Sequence, residues 1–484
     1  MRSWIAIFLA LLVFPAFAEA RQNGDQDDRK NMPMGPPSSA PKSGDQQSKS
    51  PPPKNPDTKQ NAQDSDMQEM PGMGAMHSQG MKIGKTGTMM ATPDTFLQEI
   101  LQHATSGTSA EPDSTPAPML MTTKRNWKLM LHGNAFLIEQ QESSPRGGGK
   151  LFSTNWIMGM AQHDAGPGVF TARTMLSLEP ATITGRQYPL LFQQGETAYG
   201  KPIADGQHPH NLFMEIAAIY DLKLGTNGLL SIFAAPIGDP ALGPIAFPHR
   251  ASAAEDPVAT LAHHQEDSTH IAEDVVTVGA TYRIARIEAS GFHGREPNEN
   301  RWNIAQGKID SWSTRMTIQP DNNWSGQFSF GRLTSPEALF PDENQERMTA
   351  SIAYNRPFRG GNWASTLIWG RTRSLADSVT AISYTFESTA GFLKRNHAWT
   401  RIEDIARSNE LLLGENLIPP GFQEQTIGRV QAYTFGYDRD FGLIPHVATA
   451  IGAQITAYGV GDNLKPVYGS RPASVAVFVR IRPE

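Results

Sequence analysis

The sequence predicts an all-β protein, an antiparallel transmembrane β-barrel of about sixteen strands, with fourteen strands as the alternative. Apolar and polar residues alternate over about ten residues, which is the strand length of a membrane barrel. In "NWSGQFSFGRL", for example, Phe328 and Phe330 face one side while Gln327 and Ser329 face the other. After the first twenty residues no run of about 18 apolar residues occurs, so a spanning helix is not expected.

Sixteen alternating segments can be counted along the chain. They begin near residues 127, 150, 169, 212, 229, 273, 286, 308, 324, 346, 362, 379, 397, 427, 446 and 473. The even-numbered connections are turns of about 2 to 8 residues, whereas the odd-numbered ones include the long loops 179–211, 237–272 and 407–426. A soluble β-sandwich has no reason to separate the two lengths, but an outer-membrane barrel has short periplasmic turns and long external loops.

Tryptophans near the predicted strand ends are typical of the aromatic girdle of a membrane barrel. These residues are Trp127, Trp156, Trp324, Trp363 and Trp399. If the first strand rises from the periplasm and the strand number is even, both ends of the barrel domain face the periplasm.

The chain before the barrel divides into three parts. Residues 1–20 have a short positive start, an apolar stretch and a small-residue cleavage site, so they predict a secretory signal peptide. Residues 21–93 are rich in Met, Pro and Ser and are predicted to be a disordered periplasmic segment. Residues 94–124 predict a short helix capped by Asp94 and then a linker, and the barrel domain follows over 125–484.

Composition limits the chemistry that the chain can perform. The chain contains no cysteine, which excludes thiolate metal sites, thiol catalysis and disulfides, so metal ligands would be Met, His, Asp or Glu. The net charge of −6 argues against a nucleic-acid partner.

A regular methionine tract lies within the segment predicted to be disordered. In "MQEMPGMGAMHSQGM" the candidate ligands are Met67, Met70, Met73, Met76, His77 and Met81. Pro71, Gly72 and Gly74 oppose a helix, so packing in a core does not account for this spacing. Thioethers suit Cu(I), with Ag(I) as a mimic, and bind Zn(II) poorly. The alternative is a tail whose methionine content has no role.

A signal peptide, a Met-rich periplasmic tract and a cysteine-free barrel together resemble the copper-resistance outer-membrane proteins of the B type. The resemblance covers the general plan and the tract "MQEMPGMGAMHSQGM", and it does not extend to motifs within residues 125–484. It implies that the protein handles copper at the outer membrane, with periplasmic copper-handling proteins as partners. It points only to the methionines of the tract and His77 as ligands.

A second group of candidate ligands lies in or beside the two longest loops. Its members are His208, His210, His249, His263, His264 and His270. If residues 256–270 were helical, His263 and His270 would share a face with Glu266 and Asp267. Imidazole with carboxylate suits Zn, Cu(II), Ni or Fe. The alternative is that these side chains only form hydrogen bonds with the loop backbone.

Several polar side chains fall on inward-facing strand positions and predict a wet lumen. They are His132, Arg173, Glu215, Asp221 and Arg480. The common motifs of hydrolases and nucleotide-binding enzymes are missing, so no enzymatic activity is expected.

Three functions stay open at this stage. They are a copper-binding or copper-exporting outer-membrane barrel, a general porin or solute channel with an incidental tail, and a barrel hydrolase whose catalytic residues are scattered on strands. A barrel of about sixteen strands is wide enough for an aqueous channel, although its two longest loops are long enough to fill it.

Overall fold

The computed structural model describes residues 81–83, 89–91 and 93–483. The strands, in chain order, are β1 (Met81–Ile83), β2 (Met89–Ala91), β3 (Leu120–Lys124), β4 (Trp127–Ser143), β5 (Gly149–Ala165), β6 (Gly168–Leu176), β7 (Tyr188–Ala198), β8 (Lys201–Gln207), β9 (Phe213–Leu224), β10 (Gly228–Gly238), β11 (Ala272–Tyr282), β12 (Ala285–His293), β13 (Ser311–Asp321), β14 (Trp324–Leu333), β15 (Gln345–Phe358), β16 (Gly361–Ser374), β17 (Thr380–Phe392), β18 (Asn396–Ser408), β19 (Thr426–Asp440), β20 (Val447–Val460) and β21 (Ala473–Pro483).

Sixteen of these strands close into an antiparallel barrel, which confirms the predicted fold class. Each barrel strand pairs with its neighbours in chain order, and the last strand β21 pairs with the first barrel strand β4. Strand β3 adds a short hairpin to one end of β4, while β7 and β8 form a separate hairpin between β6 and β9. Every predicted strand start lies within three residues of the observed one.

The connections also follow the predicted alternation. Tight turns join β5 to β6, β9 to β10 and β11 to β12, while the longest connections leave β6 and β10 at the other end of the barrel. We call these two ends the short-turn end and the long-loop end. Among the helices of the described chain, none has the length and apolarity needed to cross a bilayer.

The outer surface of the barrel is apolar. Ile352, Leu367 and Ile455, at outward positions of three strands, are each more than half exposed. Such a surface is expected where strands face lipid rather than water. Inward positions carry the polar residues of the alternating pattern. The five side chains predicted to face the lumen are all buried there: His132, Arg173, Glu215, Asp221 and Arg480.

The tryptophan prediction was correct for three residues and wrong for two. Trp127, Trp324 and Trp363 are exposed near the short-turn end, where a girdle is expected. Trp156 and Trp399 point inward instead, because each occupies an inward position of the alternation in β5 and β18. The indole Nε1 of Trp399 donates to Gln454 Oε1 at 3.3 Å, which anchors the ring inside the barrel.

Substitution of the lipid-facing Phe328 by arginine should hinder barrel assembly, whereas Gln327→Arg should be tolerated. Phe328 is exposed on the outer surface, while Gln327 points inward and donates to Thr349 Oγ1 at 3.0 Å. An arginine facing lipid near the bilayer midplane costs about 2–4 kcal/mol. Heat-modifiable migration of the two variants in detergent gels measures the folded fraction. Equal fractions for the two would show that this register is wrong.

Four short helices accompany the strands: α1 (Phe96–Gln102), α2 (Glu179–Thr182), α3 (His263–Glu266) and α4 (Lys465–Tyr468). Three 3-10 turns cover Thr184–Arg186, Ser268–His270 and Asn409–Leu412. Helix α1 has Thr95 as its N-cap, since the Thr95 side chain accepts from the Gln98 N–H; the prediction of Asp94 was wrong by one residue. Phe96 and Ile100 of this helix are buried beside Leu229, an inward residue of β10.

The linker predicted after α1 is not an exposed connection. Residues 103–118 are buried or half-buried throughout, and we call them the plug segment. Within the segment predicted to be disordered, only β1 and β2 and residue 93 are described, and the two strands pair with each other.

Candidate metal centre in the barrel lumen

The plug segment is fastened inside the barrel by one arginine of β6. The guanidinium of Arg173 donates to the carbonyl oxygens of His103, Thr105 and Gly107 at 2.8, 2.7 and 2.5 Å. It also pairs with Glu215 of β9, which in turn accepts from the Gly107 N–H at 2.8 Å. A guanidinium offers five donors in a fixed fork, so one side chain can hold several carbonyls of an irregular segment.

The long connection between β10 and β11, residues 239–271, also folds into the lumen, and we call it the lumen loop. None of its residues is exposed. Arg250 of this loop makes a two-pronged contact with Glu387 of β17, at 2.6 and 3.1 Å, and lies 3.3 Å from Asp267. Plug segment and lumen loop also touch, because the Ala251 N–H donates to Glu111 at 2.8 Å. Together they fill much of the space that an open channel would need.

Five of the six histidines predicted as a second metal site meet in this filled lumen. The ring centroids of His263 and His270 are 5.1 Å apart, and His210 lies 5.3 Å from His270. His264 is 5.3 Å from His263, and His208 completes the group at 6.2 Å from His264. We call these five residues the histidine cluster. The connection between β8 and β9 supplies two of them and the lumen loop supplies three.

Three of the rings are oriented in the way that metal-bound histidines usually are. The Nδ1 atom of His263 lies 2.6 Å from Asp267 Oδ1, and that of His270 lies 2.7 Å from the Asp267 carbonyl oxygen. The Nδ1 atom of His210 lies 3.0 Å from Glu179 Oε2. A ligating histidine commonly donates its other nitrogen to a carboxylate or carbonyl, which fixes the ring and leaves Nε2 for the ion.

Burial leaves some imidazole nitrogens of this group without partners. Among the described residues, none forms a hydrogen bond with Nε2 of His264 or His270. Burial, together with the nearby His263, lowers the pKa of His270 to about 3 and holds the pKa of His264 well below its usual value. Neutral imidazole is the form that binds metal ions. An unpaired buried nitrogen costs free energy, which a bound ion would offset.

Two details of the sequence prediction were wrong. The region 256–270 is not one helix, because α3 ends at Glu266 and a 3-10 turn follows. Glu266 therefore points away from the cluster, and its Oε1 accepts from Ser383 and Thr385 of β17. Asp267 remains with His263 and His270, as predicted.

His249, the sixth predicted histidine, lies apart from the cluster. Its ring packs against Trp156 at 4.3 Å and against His132 at 5.9 Å, both on inward strand positions. These residues border a cavity of about 560 Å³, whose lining also includes Glu255, His397 and Arg482. The cavity extends to turn residues Gly360 and Lys394, so it reaches the short-turn end.

Most of the methionine tract lies outside the part of the chain that the structure describes. Met67, Met70, Met73, Met76 and His77 lie outside the described residues, and of Met81 only the backbone, in β1, is described. Copper binding by the tract stays a prediction.

In strand number, antiparallel order and alternation of turns with loops, the barrel is porin-like. OmpF of Salmonella typhi in complex with daunomycin is similar, with 10% identity, a TM-score of 0.45, and coverage of 75% of this chain and 100% of that one. An anion-selective porin from Comamonas acidovorans gives 10% identity, a TM-score of 0.42, and coverage of 74% and 99%.

No protein-family model matches the chain, and no curated protein matches it. The resemblance to copper-resistance proteins of the B type therefore stays a prediction.

Sequence reasoning missed the residues that position the site. The plug segment reads as a linker because Ser, Thr, Gly and Pro dominate it, and this composition does not distinguish an exposed loop from a buried one. The contacts of Arg173 and Glu387 with the plug segment and the lumen loop were not predicted. An arginine at an inward position of a predicted strand does indicate that a buried hydrogen-bond acceptor must lie near it. Met158 and Met175 were not singled out as candidate ligands.

Proposed function

We propose that the protein is an outer-membrane barrel that binds copper ions inside its lumen and serves copper tolerance or export. The observation that supports this proposal most directly is the histidine cluster, whose rings each lie within 6.2 Å of another and in which the Nδ1 atoms of His210, His263 and His270 are held by oxygen acceptors. Imidazole suits copper, zinc, nickel and iron. The closed, apolar-surfaced barrel and the predicted signal peptide favour the outer membrane as the location.

Three imidazoles would hold the ion in this arrangement. His210, His263 and His270 can offer Nε2, while Asp267 and Glu179 orient the rings from behind. The carboxylates also bring negative charge close to the site, and this charge attracts a divalent cation such as Cu(II) more strongly than a monovalent one. We propose that the methionine tract adds a separate Cu(I)-binding element, because thioethers are soft ligands.

A solute channel is the second candidate, and the cavity at the short-turn end favours it. That cavity is large enough for a small polar molecule and carries charged side chains such as Glu255 and Arg482. The plug segment and the lumen loop argue against free diffusion through the barrel. Conductance measurements on the purified protein separate the two candidates.

The variant His263→Gln/His270→Gln should bind Cu(II) at least about tenfold more weakly than the unchanged protein, because two of three ring nitrogens are lost. Isothermal titration of the folded, full-length protein in detergent measures this affinity. His446→Gln is the matched control, since His446 is exposed in the turn between β19 and β20. Equal Cu(II) affinity in both variants would remove the histidine cluster from the proposal.

The methionine tract is tested in the same titrations. Leucine at Met67, Met70, Met73, Met76 and Met81 should weaken Cu(I) binding and leave Cu(II) binding unchanged, because leucine keeps the size but removes the sulfur. An unchanged Cu(I) affinity would show that the tract has no part in binding.

A further inference from the structure

Three neighbouring strands place soft ligands side by side on the lumen wall. His132 of β4 is paired directly with Met158 of β5, and Met158 is paired with Met175 of β6. Residues opposite each other on one face of a sheet have Cβ atoms about 4.5–5.5 Å apart. The register alone therefore sets an imidazole and two thioethers in one row across three strands.

The lumen loop adds a fourth ligand above this row. His249 Nε2 lies 3.0 Å from Met175 Sδ, and His132 Nε2 lies 3.3 Å from Met158 Sδ. Two ligands of one tetrahedral ion, with metal–nitrogen and metal–sulfur bonds of about 2.0 and 2.3 Å, are about 3.5 Å apart. Both nitrogen–sulfur pairs are already close to that separation, so small side-chain rotations would suffice to hold an ion.

The surroundings of the four side chains are rich in sulfur. Met119, Met130, Met160 and Met214 are buried in the same cluster as Met158 and Met175. Methionine often fills gaps in apolar cores, and that is the simpler explanation of the cluster. It does not explain why two imidazole nitrogens approach sulfur, a weak acceptor, in a lumen that offers many carboxylates.

The row can be reached from one end of the barrel. His132, Trp156 and His249 line the cavity that extends to Gly360 and Lys394 at the short-turn end. A small cation entering there would meet His132 and His249 before the histidine cluster, which lies in the lumen loop and the β8–β9 connection.

We propose that His132, Met158, Met175 and His249 form a binding site for a soft monovalent cation, Cu(I) or Ag(I), open to the short-turn end. Two neutral nitrogens and two neutral sulfurs suit a d¹⁰ monovalent ion and offer little to a hard divalent one. This site is separate from the histidine cluster and from the methionine tract, and it does not depend on either of them binding metal.

Titration with silver nitrate tests the site in the full-length protein. Every variant carries leucine at Met67, Met70, Met73, Met76 and Met81, so that the tract cannot contribute. Met158→Leu/Met175→Leu should lower Ag(I) affinity about tenfold or more. Met316→Leu/Met348→Leu is the matched control, because both methionines sit at outward positions of β13 and β15, and its Ag(I) affinity should not change.

A second variant, His249→Gln, distinguishes the loss of a metal ligand from a packing defect caused by the methionine substitutions. His249→Gln leaves the methionine row intact and should also weaken Ag(I) binding, and Ag(I) should quench the fluorescence of Trp156, which packs against His249. Cu(II) binding at the histidine cluster should persist in the variant Met158→Leu/Met175→Leu. The Cu(II) titration therefore tests the histidine cluster and the Ag(I) titration tests the new site, each independently of the other. Equal Ag(I) affinity in the Met158→Leu/Met175→Leu variant and its control, or no effect of His249→Gln, would overturn the site.

Discussion

Replacement of Arg173 by alanine should turn a closed barrel into a conducting one. In the unchanged protein, Arg173 holds three carbonyls of the plug segment and pairs with the buried Glu215. Alanine would leave that carboxylate without its partner, and breaking a buried pair by removing one member costs about 3–5 kcal/mol. Release of the plug segment removes this penalty because water can then reach Glu215 and the freed carbonyls.

Current through a planar lipid bilayer measures this opening. The unchanged protein should carry little steady current, and Arg173→Ala should carry more, with faster hydrogen exchange at the amides of residues 103–108. Arg286→Ala is the control, because Arg286 is equally buried and also pairs with a buried carboxylate, that of Glu288, but its own donors reach Ser231 and Thr281 rather than the plug segment. A barrel that stays closed after Arg173→Ala would show that other contacts hold the segment.

The variant Arg250→Ala should release the lumen loop and abolish Cu(II) binding at the histidine cluster, although no candidate ligand is changed. Arg250 ties the loop to Glu387 of β17 and to Asp267, which orients His263 and His270. Loss of this partner leaves Glu387 paired with Arg401 alone and Asp267 with His263 alone, so the cost should not exceed about 3–5 kcal/mol, that of a fully broken buried pair. Cu(II) titration and denaturant unfolding in detergent measure the two effects.

Arg250→Lys separates charge from geometry in that contact. Lysine keeps the positive charge but cannot form the two-pronged contact with Glu387. We expect intermediate stability and weakened Cu(II) binding. If Arg250→Ala bound Cu(II) as tightly as the unchanged protein, the loop would be held in place by its other contacts.

The barrel could be predicted because its signal is local. Alternation with a period of two and the lengths of the connections depend only on neighbouring residues, and these placed each strand start within three residues. The histidine cluster was predicted in part for the same reason, since its members are grouped along the chain. The separation of His249 from the other five could not be predicted, because it depends on how the lumen loop folds back.

The filling of the lumen depends on contacts between distant residues, so the sequence pattern did not show it. Arg173 and Gly107 are 66 positions apart, and Arg250 and Glu387 are 137 apart. One missed feature was within reach, however. The turn at Gly166–Pro167 fixes the pairing of Met158 with Met175, and applying the register to the predicted hairpin would have set the two sulfurs side by side.

The pairing of β21 with β4 has a consequence for the order of assembly. This seam joins Ala473 to Ser143 and Ile481 to Ala135, residues that are more than 300 positions apart. Because loop-closure entropy opposes such distant contacts, the seam should form late and slowly. Until it forms, two long strand edges remain unpaired and can join other chains. Shielding of these two edges until the seam closes should therefore limit aggregation of the newly made chain.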